Sequence, residues 1–142
     1  MRTIKFRGRR VDNNEWVNGY LYRLLLLNEE KCLILTQDNN HLDESLAPKY
    51  DLAFKLGVDL FIVDPVTVGQ FTSLQDKNSK EIFEGDILDF DGIKVEVRFV
   101  RGVFAFLVNG NLDDELCGDC RTDLFGKVIG NIHDNPKLLK RR

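Results

Sequence analysis

The sequence predicts a mainly β chain: an N-terminal β-meander packed with a small C-terminal barrel of the SH3-like kind, with one short helix or an irregular excursion at about 46–56. Three observations carry this expectation. Ile93, Val95, Val97 and Phe99 alternate with Lys94, Glu96 and Arg98, the two-residue period of a strand with one dry and one wet face. Turns rich in Asp, Asn and Gly separate such stretches, and Asp91-Gly92 suits the two-residue hairpin turn with positive φ. Ten Phe stand against one Met and one Trp, and flat rings pack well on a pleated face.

The elements follow in order. Ile4, Phe6 and Val11 supply a first strand, closed by the turn Asp12-Asn13-Asn14-Glu15, since Asn and Asp tolerate left-handed backbone. Trp16 to Leu27 is the second strand, with Gly19 marking a bulge or bend. Its leucine run would also suit a helix, but close flanking turns and the short length favour a strand. Asn28-Glu29-Glu30 turns the chain into a third strand, Cys32 to Thr36. Leu46, Tyr50, Ala53, Phe54 and Leu56 have helical spacing, with Pro48 acceptable in the first turn and Gly57 a natural stop.

From Leu60 the β pattern returns. Phe61 and Val63 alternate, Asp64-Pro65 makes a corner, and Val66 to Thr72 reads as a strand with Val66, Val68 and Gln70 on one face. Gln75 to Ser79 is a polar turn, and Glu84-Gly85-Asp86 a tight one. Strands follow at Ile87 to Phe90, Ile93 to Phe99 and Val103 to Val108, with Arg101-Gly102 turning between the last two. Asn109 to Arg121 reads as loop, Val128 to Ile132 as the final strand, ended by Asn135-Pro136. The expected organisation is residues 1–80 as a β-rich part with a helical or irregular excursion, 81–136 as the barrel, and 137–142 as a basic, frayed tail.

A net charge of −3 argues against strong non-specific nucleic-acid binding, which depends on Lys and Arg against phosphates. The basic residues gather at the two ends, Arg2, Lys5, Arg7, Arg9 and Arg10 first, then Lys137, Lys140, Arg141 and Arg142. Leu24 to Leu27 is the longest apolar run and is far too short to cross a bilayer, so no membrane association is expected. No signal-peptide pattern follows Arg2 and Lys5, and three cysteines do not read as a disulfide framework, so the expected compartment is the cytoplasm with reduced thiols.

No catalytic constellation emerges. Cys117-Gly118-Asp119-Cys120 is a CxxC, half of a zinc site or a redox pair, but Cys32, His41 and His133 offer no second close-spaced pair. His41 and His133 have no serine nucleophile motif near them, and His133 is expected to cap the last strand. The acidic groups Glu81, Glu84, Asp86, Asp89 and Asp91, and Asp113, Asp114, Glu115, Asp119 and Asp123, do not follow the spacing of a calcium loop and read as turns and solvated edges. No metal, cofactor or enzymatic activity is expected.

Several blocks carry a resemblance. Ile4-Lys5-Phe6-Arg7 and Trp16-Val17-Asn18-Gly19-Tyr20-Leu21 open the chain, and Asp64-Pro65-Val66-Thr67-Val68-Gly69-Gln70-Phe71-Thr72 continues through Asp76 to Ile87. Val128-Ile129-Gly130-Asn131-Ile132-His133-Asp134-Asn135-Pro136 closes it. Together these resemble the YopX-like family of phage and prophage proteins. The chain departs from the family pattern at Ser73 and Ser79, where glycines or other small residues are expected, and at Gly8-Arg9-Arg10. The resemblance implies a phage or prophage origin and a β-rich fold with an SH3-like C-terminal part, and it brings no catalytic residues.

The expected role is therefore an accessory, non-catalytic interaction module that binds itself, as a homo-oligomer, or a phage or host protein. Its first candidate surface is Gln70, Thr72, Lys77 and Lys80, which flank the most family-like turn; the bland reading is a hairpin turn kept wet by its polarity. The alternative is nucleic-acid binding by Arg7, Arg9 and Arg10, with Trp16 as a stacking residue beside Tyr20 and Tyr22. Against that stands ordinary packing of the aromatic rings.

Overall fold

The computed structural model describes residues 3–36, 59–108, 115–116 and 126–139, the side chains of Leu26, Glu115 and Leu116 excepted. The described chain is mainly β and antiparallel throughout, as the alternation predicts. The short helix or irregular excursion expected at about 46–56 lies outside the described residues. Two compact units divide the chain, Ile4–Gly69 and Gln70–Arg142, the latter with Met1–Thr3.

In the first unit β1 (Phe6–Arg9), β2 (Trp16–Leu26), β3 (Glu29–Thr36) and β4 (Asp59–Val63) pair in sequence. The strands then close on themselves. Arg10 bridges Val63, flanked by Val11 N–H to the Ile62 carbonyl at 3.1 Å and Asp64 N–H to the Arg9 carbonyl at 2.9 Å. Closure requires β2 to serve two directions. Its first part, Trp16 to Gly19, pairs with β1, and Tyr20 to Leu26 pairs with β3. Gly19 sits at the change of partner, with φ 158° and the Leu35 carbonyl oxygen where a Cβ would stand. Gly8 serves the interior, since a Cβ there would lie 2.7 Å from Val63 Cγ2. Inside are Cys32, Ile34 and Val63, with Phe6, Val17, Leu21 and Val68 packed against them.

The β2–β3 turn falls one residue earlier than the sequence suggests. Leu27 and Asn28 form it, both with positive φ (51° and 67°), and β3 starts at Glu29 rather than Cys32. Glu29 and Glu30 can join the strand because there the ladder is only two strands wide and their carboxylates stay in water. After Val63 the expected strand from Val66 is delayed. Asp64 caps a 3-10 turn, Pro65–Thr67, by accepting from Val66 N–H, and Pro65 in first position has no N–H to leave unpaired. Val66 is consequently exposed rather than on a packed face, and β5 runs from Gly69 to Gln75.

In the second unit β5 pairs with β6 (Glu81–Phe83). A five-stranded sheet follows: β7 (Asp86–Phe90), β8 (Ile93–Val100), β9 (Val103–Val108), β10 (Glu115–Leu116) and β11 (Lys127–Asn131), in the order β10-β9-β8-β7-β11. No ladder joins its two edge strands among the described residues. The turns at Asp91-Gly92 and Arg101-Gly102 both have positive φ at each residue, as their sequences require. Ile82, Leu88, Val95, Val97 and Phe106 form the core, with Leu74, Val108 and Val128 against it.

The face of β8 expected to be wet is only partly so. Glu96 is fully buried beside its cross-strand neighbours Ile87 and Leu107, and its carboxylate is paired with the guanidinium of Arg98, two residues on. Arg98 reaches partly to water, the usual compromise of a long cationic side chain. Phe99, expected on the dry face, is half exposed and meets Phe104 edge-on at 5.1 Å. The expected frayed end is tied down as far as Leu139, which is buried behind the 3-10 turn Pro136–Leu138. No helix of the described residues is long and apolar enough to cross a membrane.

Candidate functional site

The turn after β5 is organised by Asp76, a residue the sequence marked only as part of a polar stretch. Its Oδ1 accepts from Asn78 N–H (2.8 Å) and Lys80 N–H (2.9 Å), and its Oδ2 accepts from Val128 N–H (2.9 Å). Two main-chain bonds complete the tie, Asp76 N–H to the Lys80 carbonyl at 2.8 Å and Lys77 N–H to the Gly126 carbonyl at 3.1 Å. Burial pushes the carboxyl up, but the three backbone donors and the Lys80 charge outweigh it, and the group sits below the usual carboxylate range.

Of the four residues expected to form a surface here, Lys77 and Lys80 are exposed. Thr72 is buried: its hydroxyl donates to the Ile82 carbonyl at 2.8 Å and accepts from Leu74 N–H at 3.1 Å. Gln70 is half-buried, and its carbonyl accepts from Glu84 N–H at 2.9 Å. Thr72 therefore serves the β5–β6 pairing and is corrected from surface to interior.

The basic N-terminal group is brought together. Arg7 and Arg9, alternate residues of β1, flank the Trp16 ring, their guanidinium carbons 4.8 and 6.0 Å from its centroid. Arg10 points to the other face of the strand, over Phe61 at 4.3 Å, and is held by Asp12 through two bonds of 2.9 and 2.6 Å. Asp12 is in turn held below its usual pKa, first by that hydrogen bond. The three arginines thus do not present one surface, and Trp16 is engaged on its ring by Arg7 and Arg9.

The polar residues of the sequence's most distinctive blocks are bound within the fold. Thr67 Oγ1 donates to the Asp64 carbonyl (2.6 Å) and accepts from Arg9 N–H (2.9 Å), fixing the corner to β1. Asp86 accepts from Phe83 N–H at 2.8 Å. Asp89 accepts from Gly92 N–H at 2.8 Å and lies 3.6 Å from Lys94 Nζ. Asn131 Oδ1 accepts from His133 N–H (3.0 Å) and Asp134 N–H (2.9 Å), so the last strand is capped by Asn131 rather than by His133. Among the described residues no group of His, Cys, Asp and Glu could hold a metal. Cys117, Cys120 and His41 lie outside the described residues.

Among the described residues, what stands open is the far end of β2 and β3. β1 leaves β2 after Gly19, and β4 leaves β3 before Lys31, so the strands continue as a two-stranded ribbon. This arm exposes Tyr20 (63%), Tyr22 (55%), Leu25 (75%) and Leu27 (99%). Leu27 combines near-complete exposure with a left-handed backbone that disfavours any residue bearing a Cβ. The leucine run was legible in the sequence; that it runs beyond β1 and β4 was not.

The YopX protein family matches the chain over residues 5–140. The chain is similar in fold to the crystal structure of protein EF1440 from Enterococcus faecalis, with a TM-score of 0.56 and 24% identity, covering 99% of this chain and 100% of that one. It is also similar to the X-ray structure of protein yopX from Bacillus subtilis, with a TM-score of 0.51 and 16% identity, covering 100% and 99% of the two chains. No curated protein matches it.

Proposed function

The chain belongs to the YopX protein family, and on that premise we propose that it is a non-catalytic interaction module of phage or prophage origin, acting in the cytoplasm of a bacterial host on a protein partner or on itself. In this reading residues 81–136 complete a small SH3-like barrel that serves as scaffold. The observation that carries the reading is the exposed apolar arm, Leu25 and Leu27 above all. Leu27 stands almost wholly in water at a turn with left-handed backbone and Leu25 is exposed on the strand before it, and an interface would bury both. The acidic and hydroxyl side chains of Asp76, Asp86 and Thr72 accept or donate bonds that hold turns and strands together.

Light scattering on the purified chain, combined with cross-linking in producing cells, tests this. The expected result is a defined oligomer or a protein adduct on the arm. A strict monomer that forms no protein adduct overturns it.

A second reading rests on Arg7 and Arg9 gathered at Trp16. It makes the N-terminal strand a nucleic-acid surface. A mobility shift that weakens with salt, and weakens further in an Arg7, Arg9 and Arg10 triple alanine variant, supports it. Absence of binding at low salt eliminates it.

A further inference from the structure

We propose that a second copy of this chain pairs with the open edge of β2, Tyr20 to Leu26, across a two-fold axis. The proposal rests on the interaction reading above and names its site and occupant.

The argument begins with the main chain. A strand has two hydrogen-bonding edges, and each edge needs a partner or water. Over Tyr20 to Leu26, β2 gives one edge to β3, while β1 pairs only with Trp16 to Gly19. Among the described residues no strand pairs with the other edge of Tyr20–Leu26. The segment reads Tyr-Leu-Tyr-Arg-Leu-Leu-Leu, without proline or glycine. It carries neither a proline nor a bulge in its pairing with β3, and its one charge, Arg23, which shares the face of its cross-strand partner Cys32, lies 3.6 Å from Glu30 of the neighbouring strand.

The side chains point the same way. Tyr20 and Tyr22 are exposed on one face and Leu25 on the other, so a strand added at this edge would find apolar neighbours on both sides. A two-stranded ribbon is marginal in water, and a third strand would make it a sheet. The charges favour a copy of the same surface as that strand. Arg23 and Lys31 balance Glu29 and Glu30, with Lys31 Nζ 3.5 Å from Glu29, so two arms meet without net repulsion. An anionic membrane or a nucleic acid would find no basic excess on the arm. Antiparallel pairing of one edge with itself is isologous, each copy giving and receiving the same bonds, and it closes at two.

The test uses the full chain. Sedimentation equilibrium of the wild type should show a dimer, and hydrogen exchange should show the Tyr20–Leu26 amides gaining protection as concentration rises. A Leu25→Lys, Tyr22→Lys variant, altered only at exposed positions, should keep its circular dichroism spectrum while its dimer dissociation constant rises about tenfold or more. Should the variant unfold, the concentration-dependent protection of these amides decides alone. A wild-type monomer overturns the proposal. A wild-type oligomer unmoved by the lysines, with these amides unprotected at every concentration, overturns it too, but leaves the interaction reading standing on another surface. A monomer that forms adducts with a different protein on the arm likewise rejects the second copy and keeps the broader reading.

Discussion

The carboxylate of Asp76 accepts a hydrogen bond from the backbone N–H of Val128, 52 positions along the chain, at 2.9 Å. The same carboxylate closes its own turn through Asn78 and Lys80. One side chain therefore sets the shape of the β5–β6 turn and joins it to the first residues of β11.

Asp76→Ala should be among the most damaging single changes in the second unit. It strips the acceptor from three backbone donors around a buried site, a loss of roughly 2–4 kcal/mol. Asp76→Asn keeps one acceptor oxygen and should cost less. Urea denaturation of the three proteins at neutral pH measures both differences, and equal stability of wild type and alanine variant would refute the role.

The same residue should shape the acid limb of stability. Its folded pKa lies below the unfolded value of about 4. Its contribution is therefore complete above about pH 4 and is lost as pH falls through the lower, folded value. The gap in stability between wild type and Asp76→Ala should narrow over that window. Denaturation midpoints taken at steps from pH 6 to pH 2 would show it, and a gap that widens in acid would contradict the sign.

Ser73 and Ser79 should both accept glycine with a gain. Their φ angles are 72° and 65°, the left-handed region where a Cβ meets the neighbouring carbonyl, and both side chains are exposed. The relief of about 1–2 kcal/mol is offset in part by the larger freedom glycine has in the unfolded chain. A net rise of roughly 0.5–1 kcal/mol at each site, additive in the double variant, is expected from thermal or urea melts. Destabilisation at either site would mean that the serine side chain holds something its backbone angle does not reveal.

These serines also show what the sequence made legible. The turn positions were visible, because a stretch such as Asp76-Lys77-Asn78-Ser79 has little else to do, and the hairpins at Asp91-Gly92 and Arg101-Gly102 form where their dipeptides place them. Burial was less legible. Alternation puts Glu96 and Arg98 on one face of β8, yet it cannot say that Ile87 and Leu107 will bury that face and pair the two charges there. The open edge of β2 was hidden for a related reason. The sequence of a strand does not state how far each neighbour runs alongside it.

Gly8 and Val63 should behave as one packing unit. A Cβ at position 8 would lie 2.7 Å from Val63 Cγ2, and Arg10–Val63 is the bridge that closes the ring of strands. Gly8→Ala should cost roughly 1–3 kcal/mol through overpacking. Val63→Ala should cost a similar amount through the cavity it leaves. Together they should cost less than their sum, because the added methyl occupies part of the vacated space. A double-mutant cycle measures the coupling, and strict additivity would mean that the two residues do not share that space.

Cys32 offers a direct reading of how tightly that ring is closed. It is 1% exposed beside Ile34 and Val63, and burial, then the nearby Glu30 charge, pushes its thiol up. The thiolate is the reactive form, so both access and ionisation oppose modification in the folded state. Labelling with a thiol reagent, followed residue by residue in digested protein by mass spectrometry, should find Cys32 slow in native conditions and fast in denaturant. Where opening and closing are rapid, the native rate follows the population of the opened unit. Gly8→Ala, which strains the closure without touching the thiol, should therefore speed labelling at Cys32, about tenfold for each ~1.4 kcal/mol of stability lost. Native labelling as fast as in denaturant would show that the strands do not shut Cys32 away from water, and the closed ring of the first unit would have to be abandoned.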